Sequence, residues 1–246
     1  HVQIFAYGLL AFAVLGLFLL WGRAPLRWRT AWPWLAKGAL IVGLALVLGA
    51  AQLLPSIELS ENTARSSVSY EEASEFPAQP VTLLNLVLPR VYGASPTTYA
   101  FGPWQNTENW AYAGVVTLAL ASAGLLLGRG RKPVFFGIIA ALAVLIMVGD
   151  LSIVHAWMYK FMPGFGKLRD AGRALVLLGL GLAGLAAFGL DGLRAALDGK
   201  EGVRQKALWW LAAWSGILAV GAFGILPALY NAILGDVEGL YARLPY

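Results

Sequence analysis

Three cations, Lys167, Arg169 and Arg173, lie within seven residues at the point where a long apolar run begins. Arginine forks and lysine ammonium groups suit phosphate oxygens, and the N-terminal end of the following helix would add its dipole to an anion site. Charge at the mouth of a membrane span is costly unless it is solvated, paired or needed by a site. We therefore predict that these residues bind the phosphate of a lipid. The alternative is headgroup anchoring by snorkelling cations, which involves no catalysis.

A second polar group follows an earlier apolar run. Gln52 lies inside the outer end of that run, Pro55 is expected to disturb the helix end, and Glu58 and Arg65 come next. Polar groups inside a membrane usually face a cavity or a partner helix, so these residues are candidates for a substrate loop. The alternative is a simple ion pair between Glu58 and Arg65.

The long loop 56–109 combines aromatic and carboxylate side chains, among them Trp104 and Glu108. Such groups are what a sugar site uses, because rings stack on apolar sugar faces and carboxylates accept from hydroxyls. They are equally typical of an aromatic belt at the membrane interface. No pair in the loop has the spacing of a defined catalytic motif, so the catalytic residues stay unknown.

Cysteine and histidine usage excludes several chemistries. The chain has no cysteine and two histidines, so disulfides, thiol catalysis and thiolate metal sites are excluded, and no metal site or cofactor is predicted. We interpret His155 as a polar residue of the membrane interface rather than as a base. Asp150 and Asp170 could assist a basic site or cap helices.

Composition predicts an all-α integral membrane protein with a single polytopic domain over 1–246. The chain is 59% hydrophobic and 13% charged, against roughly 25% charged in a soluble domain. We interpret the net charge of +5 as an indication of how the chain is oriented in the membrane. The basic residues do not follow a pattern typical of nucleic-acid binding. The lipid bilayer is therefore the first predicted partner.

Six apolar runs are long enough, or nearly so, to cross about 30 Å of hydrocarbon. They cover about 2–21, 34–55, 110–128, 133–149, 173–190 and 207–229. The connections on one side carry eleven cations and three acids, and the other side carries seven cations and ten acids. The positive-inside rule places the first set in the cytoplasm. Loop 56–109, segment 150–172 and the C-terminal tail are then extracytoplasmic.

Two further patterns concern packing. In segment 150–162, apolar residues recur at helical spacing: Leu151, Val154, Met158 and Phe161. Apolar residues of the C-terminal tail recur in the same way. Both patterns predict helices that lie in the headgroup layer of the membrane. Small residues at every fourth position, Ala45 with Gly49 and Gly179 with Ala183 and Ala187, predict close helix packing.

The order of these features resembles the YfhO family of bacterial polytopic membrane proteins, which is placed with the GT-C type of glycosyltransferases. The resemblance extends over most of residues 45–195. Its elements are Gln52 to Leu59 with Arg65, Leu83 to Pro89, Tyr112-Ala113-Gly114, Pro163-Gly164-Phe165 with Lys167, Arg169 and Arg173, and Gly189-Leu190-Asp191.

The resemblance implies transfer of a sugar from a polyprenyl-phosphate carrier, at the extracytoplasmic face of the bacterial inner membrane. It matches Arg169 and Arg173 to the arginine pair that follows the family's Pro-Gly-Phe element. The catalytic carboxylate of GT-C proteins lies in their first extracytoplasmic loop, so none is assigned here. Because the chain opens at His1 directly on an apolar run, we expect it to be a segment of a longer protein.

Two other functions stay open at this stage. One is a non-catalytic transmembrane subunit that packs into a larger membrane complex with other subunits, which the small-residue faces favour. The other is a lipid-phosphate transporter, which ranks last because the apolar runs hold few paired charges.

Overall fold

The fold is described by a computed structural model over residues 2–21, 28–62, 69–74, 80–87, 112–162, 165, 171–199 and 202–221. All regular secondary structure in these ranges is helical, which confirms the all-α class for them. The α-helices are α1 (Val2–Trp21), α2 (Trp28–Glu61), α3 (Tyr70–Ala73), α4 (Val115–Leu127), α5 (Lys132–Met147), α6 (Ile153–Phe161), α7 (Leu175–Leu197) and α8 (Val203–Val220). Short 3-10 helices cover Pro80–Leu86, Gly149–Leu151 and Ala171–Ala174.

Within the described residues, three helical stretches are long and apolar enough to cross a membrane: Gln3–Trp21, Trp32–Leu59 and Ala171–Leu197. They correspond to the first, second and fifth predicted runs. Helices α4 and α5 are also apolar but have 13 and 16 residues, about 20 and 24 Å at 1.5 Å per residue. Helix α8 covers the first part of the sixth run. The arrangement with six spans therefore stays a prediction.

Helix α7 is central and packs against both α4 and α5. Its approach to α4 is so close that a Cβ atom at Gly189 would overlap the backbone carbonyl of Leu120. Towards α5, a Cβ atom at Gly181 would come within 2.8 Å of the Cβ of Ala140. Helices in lipid associate through van der Waals packing, which small residues allow to become this close.

The predicted small-residue face of α7 makes no close contact with the described part of this chain. Gly179, Ala183 and Ala187 are all exposed, and a Cβ atom at Gly179 would meet nothing within 4 Å. The close contacts start at Gly181, and two residues correspond to about 200° around a helix. Because α7 is apolar on nearly every side, its sequence does not determine which face meets its neighbours.

Helix α2 lies apart from this core, with none of its span buried. A Cβ atom at Gly49, in the other predicted small-residue face, would meet only Leu53 of the same helix. That face therefore makes no close helix contact in the described chain.

Helix α2 extends past the predicted end of the second run at 55 and continues to Glu61, so the first residues of the predicted loop 56–109 are helical. Proline lacks the N–H group that a helix interior requires. Next to Pro55, the hydroxyl of Ser56 donates to the carbonyl of Gln52 at 2.7 Å, a local bond that helices tolerate with a bend.

Two contacts show which helix ends lie together. The guanidinium of Arg131, between α4 and α5, lies 5.2 and 5.3 Å from the ring centroids of Phe18 and Trp21 at the end of α1. At the opposite end, Gln3 of α1 accepts a hydrogen bond from Arg173, just before α7. The end of α1 thus lies beside the connection between α4 and α5, and the start of α1 lies beside the start of α7.

Candidate functional site

Arg173 lies in the 3-10 helix that leads into α7, where its side chain is half-buried. Its Nη1 donates to Oε1 of Gln3 at 3.1 Å, and Nε2 of Gln3 donates to the hydroxyl of Tyr7 at 3.1 Å. Gln3 and Tyr7 are 3% and 2% exposed, so the guanidinium is attached to a buried polar pair. One of its five N–H groups is therefore directed towards α1.

Gln3 and Tyr7 are positioned by the helical repeat, since residues four apart lie one above the other on a helix. Tyr7 also belongs to the buried apolar cluster that includes Ile139, Phe165 and Ala174. Sequence reasoning missed both residues. The available signal was a pair of polar side chains at helical spacing within an otherwise apolar span, which usually indicates a partner inside the protein.

Of the three predicted phosphate ligands, Arg173 lies within the described residues, and Lys167 and Arg169 lie outside them. Phe165, which precedes these three residues in the sequence, is 3% exposed and anchors its part of the chain in the same cluster as Tyr7. The backbone N–H of Phe165 donates to the carbonyl of Met162 at 3.1 Å.

His155 is buried beside that anchor, which corrects its interpretation as an interfacial residue. It is 2% exposed, its ring meets the ring of Phe165 edge-on at 5.3 Å, and Tyr70 lies at 5.8 Å. Its buried Nδ1 has no hydrogen-bond partner among the residues that the structure describes. Burial lowers the pKa of His155, and the charge of Asp150 opposes this shift. The ring is therefore held in its neutral form among aromatic neighbours.

Tyr70 connects the loop 56–109 to this cluster. Its ring packs edge-on against Tyr159 of α6 at 5.3 Å, and its carbonyl accepts from the hydroxyl of Ser74 at 2.8 Å. Burial, with a smaller effect of the Asp150 charge, raises the pKa of the Tyr70 phenol. The phenol stays neutral and acts as a packing group.

The remaining predicted site residues are not brought together in the described part of the chain. Gln52 and Glu58 are exposed on α2, so within the described residues Gln52 does not face a cavity or a partner helix. Arg65, Trp104 and Glu108 lie outside the described residues, as does the predicted Glu58–Arg65 ion pair.

A groove of about 630 Å³ opens between α4, α5 and α7. Its lining is apolar except for Ser122, whose hydroxyl accepts the indole N–H groups of Trp210 and Trp214, each at 2.9 Å. Arg173 is not part of this lining. The groove therefore offers apolar surface, and the charged end of the site lies elsewhere on the bundle.

Chemically, the described cluster offers a positioned cation and a buried neutral imidazole at one end of the bundle. Among the described residues no group of three His, Asp or Glu side chains could hold a metal ion.

Comparison of the chain with protein-family models, with curated proteins and with solved structures finds no match in any of the three.

Proposed function

We propose that this chain is the lipid-phosphate-binding membrane part of a GT-C-like glycosyltransferase that uses a polyprenyl-phosphate-linked sugar. The observation that carries the proposal is the hydrogen bond from Arg173 to the buried Gln3. It fixes a guanidinium at the start of an apolar helix that is long enough to span a membrane.

The partner in that bond is a neutral amide, and the bond orients the guanidinium. Fixed cations in a water-poor site stabilise negative charge that develops on a leaving group, and one such donor is typically worth about 3 kcal/mol. A leaving lipid phosphate develops such charge. Lys167 and Arg169 belong to the same segment of sequence and would add to this effect.

The donor also needs apolar surface for its hydrocarbon chain, and the groove between α4, α5 and α7 supplies surface of this kind. In the proposed topology the start of α7 faces the extracytoplasmic side of a bacterial inner membrane. The chain crosses this membrane six times, with the shorter α4 and α5 completed by flanking residues.

The test is binding of a polyprenyl phosphate to the protein in lipid nanodiscs, measured by native mass spectrometry. Arg173→Ala should weaken binding at least tenfold, which corresponds to about 1.4 kcal/mol. Arg194→Ala is the matched control, because Arg194 is an exposed cation in the last turn of the same helix. Equal affinity in wild type and Arg173→Ala would refute the lipid-phosphate role.

A turnover assay with a lipid-linked sugar in the complete protein extends this test. Loss of one oxyanion-type donor typically lowers kcat by about 10²-fold to 10³-fold, and we expect Arg173→Ala to fall in that range. A Gln3→Leu variant breaks the same hydrogen bond but retains the cation. It should therefore lose less activity than Arg173→Ala.

A second candidate is a non-catalytic subunit of a larger membrane complex. It is supported by the exposed small-residue face of α7 and by the span of α2, of which nothing is buried. Gly179→Leu would block a helix partner there, and an added Cβ atom meets nothing within 4 Å in the chain itself. If the subunit proposal holds, this variant should lose association with neighbouring subunits and keep its thermal stability.

A further inference from the structure

Helix α6 has two apolar sides, and the bundle covers one of them. The covered side carries the buried His155, and Val154, Met158 and Tyr159 pack against the core cluster beside it. Ser152 caps the start of the helix, accepting the backbone N–H of Val154 at 3.2 Å. These contacts fix how the short helix is rotated against the bundle.

The other side of α6 exposes a row of large apolar residues. Ile153, Trp157 and Phe161, each four positions apart, are 78%, 65% and 61% exposed. The rings of Trp157 and Phe161 lie 5.1 Å apart, and Nζ of Lys160 lies 5.5 Å from the ring centroid of Phe161. The row is therefore a continuous apolar surface with one cation at its edge.

This row differs from the face that the sequence pattern indicates. Of the predicted residues Leu151, Val154, Met158 and Phe161, the middle two pack inward, and the exposed row runs through Ile153 and Trp157 instead. Because α6 is apolar on both sides, only its packing against the core distinguishes the two faces.

The position of α6 in the chain identifies what covers the row. Only five residues separate α6 from the end of the apolar helix α5, and the stretch Ala171–Leu197, long enough to span a membrane, begins ten residues after α6 ends. Tryptophan is enriched where a membrane meets water, and lysine places its ammonium among phosphates while its stem covers apolar surface. Both features fit a phospholipid surface.

We infer that the outer face of α6 (Ile153, Trp157, Lys160 and Phe161) lies in the headgroup layer of a phospholipid membrane. The rings of Trp157 and Phe161 reach the boundary of the acyl chains, and Lys160 pairs with lipid phosphate. Helices with an apolar face and a cationic edge bind membranes in this way. This inference does not depend on any catalytic role.

The chain contains no cysteine, so a single introduced cysteine gives a unique labelling site. Trp157→Cys and Ile153→Cys are nitroxide-labelled in vesicles of phosphatidylethanolamine and phosphatidylglycerol. Collision of the label with oxygen and with a water-soluble nickel chelate then reports its depth. Leu48→Cys, at an 84% exposed position within the span of α2, marks the hydrocarbon, and Asp198→Cys, at the exposed end of α7, marks the aqueous side.

We expect both α6 labels to report a depth between those of the two reference labels. A label at position 157 or 153 that is as accessible to the nickel chelate as the label at 198 would overturn the inference, because the row would then face water. Shielding from both probes would also overturn it, since a protein partner would then cover the row. Ile153→Cys keeps both aromatic rings, so the test survives a folding defect of Trp157→Cys.

Discussion

Arg173 donates a hydrogen bond to Gln3 at 3.1 Å, although 170 positions of sequence separate them. The bond ties the start of α1 to the start of α7, and the buried pair of Gln3 and Tyr7 orients the cation.

Gln3→Glu is expected to keep this link and to weaken lipid-phosphate binding. A carboxylate at position 3 would pair with the guanidinium and compensate its charge, so a phosphate would have to compete with a fixed anion. Gln3→Leu should instead lower the free energy of unfolding by about 1.5–3 kcal/mol, the usual value for a hydrogen bond to a charged group. Thermal unfolding and polyprenyl-phosphate binding distinguish the two effects. Unchanged binding by Gln3→Glu would show that Arg173 has a purely structural role.

Gly189→Ala is expected to destabilise the bundle by about 1–3 kcal/mol, because the new methyl group would overlap the carbonyl of Leu120 on α4. Gly179→Ala is the matched control on the same helix, at a position with nothing within 4 Å. It should be neutral or slightly stabilising, since alanine favours a helix over glycine by about 1 kcal/mol. Unfolding in mild detergent measures both variants. Equal effects at the two positions would argue against close packing of α4 and α7.

Because His155 is buried, we expect the folded protein to become less stable at acidic pH. Burial lowers its pKa below the ordinary value of about 6.5, so the unfolded chain binds the proton more readily and stability rises with pH. The contribution is complete above about pH 6.5 and is lost as the pH falls through the lowered pKa of the folded state. The charge of Asp150 reduces the size of this effect. Thermal unfolding between neutral and mildly acidic pH measures it.

His155→Phe is the control for this titration. A phenyl ring suits the aromatic neighbours Tyr70 and Phe165 and removes the unpartnered Nδ1. The variant should lose less stability than wild type on acidification. An identical pH profile in both proteins would assign the acid sensitivity to other groups, such as the carboxylates.

Ser122→Ala is expected to weaken the packing of α8 against α4. The hydroxyl accepts from both Trp210 and Trp214 at 2.9 Å, and leaving a buried donor unpaired costs about 1–3 kcal/mol. Tryptophan emission should shift and the unfolding temperature should fall. Ser215→Ala, at an exposed position of α8, should change neither. If both substitutions behaved alike, the shared acceptor would not be what attaches α8 to α4.

Much of the helical framework could be predicted from hydropathy, because apolar runs of this length form helices whatever their neighbours. The grouping of the helix ends could be predicted as well, since the cations between α4 and α5 and those after α1 follow the positive-inside pattern, and Arg131 does contact Phe18 and Trp21.

The rotation of each helix could not be predicted in the same way. Helix α7 carries small residues on several faces, so the choice of Gly181 and Gly189 over Gly179 depends on the shape of α4 and α5. The same limit applies to α6, where both sides are apolar. The burial of His155 could not be predicted for a related reason. It depends on the contact with Phe165, which is ten positions away in the sequence.

The unequal covering of the helices also bears on how the protein behaves during solubilisation. Helices α4, α5 and α7 hold one another by direct backbone approach, which stays in place when detergent replaces the bilayer. Helix α2 has no comparable protein neighbour along its span in the described chain. As lipid is removed, we therefore expect α2 to separate first from the rest of the bundle, in which α1 and α8 also contact the core.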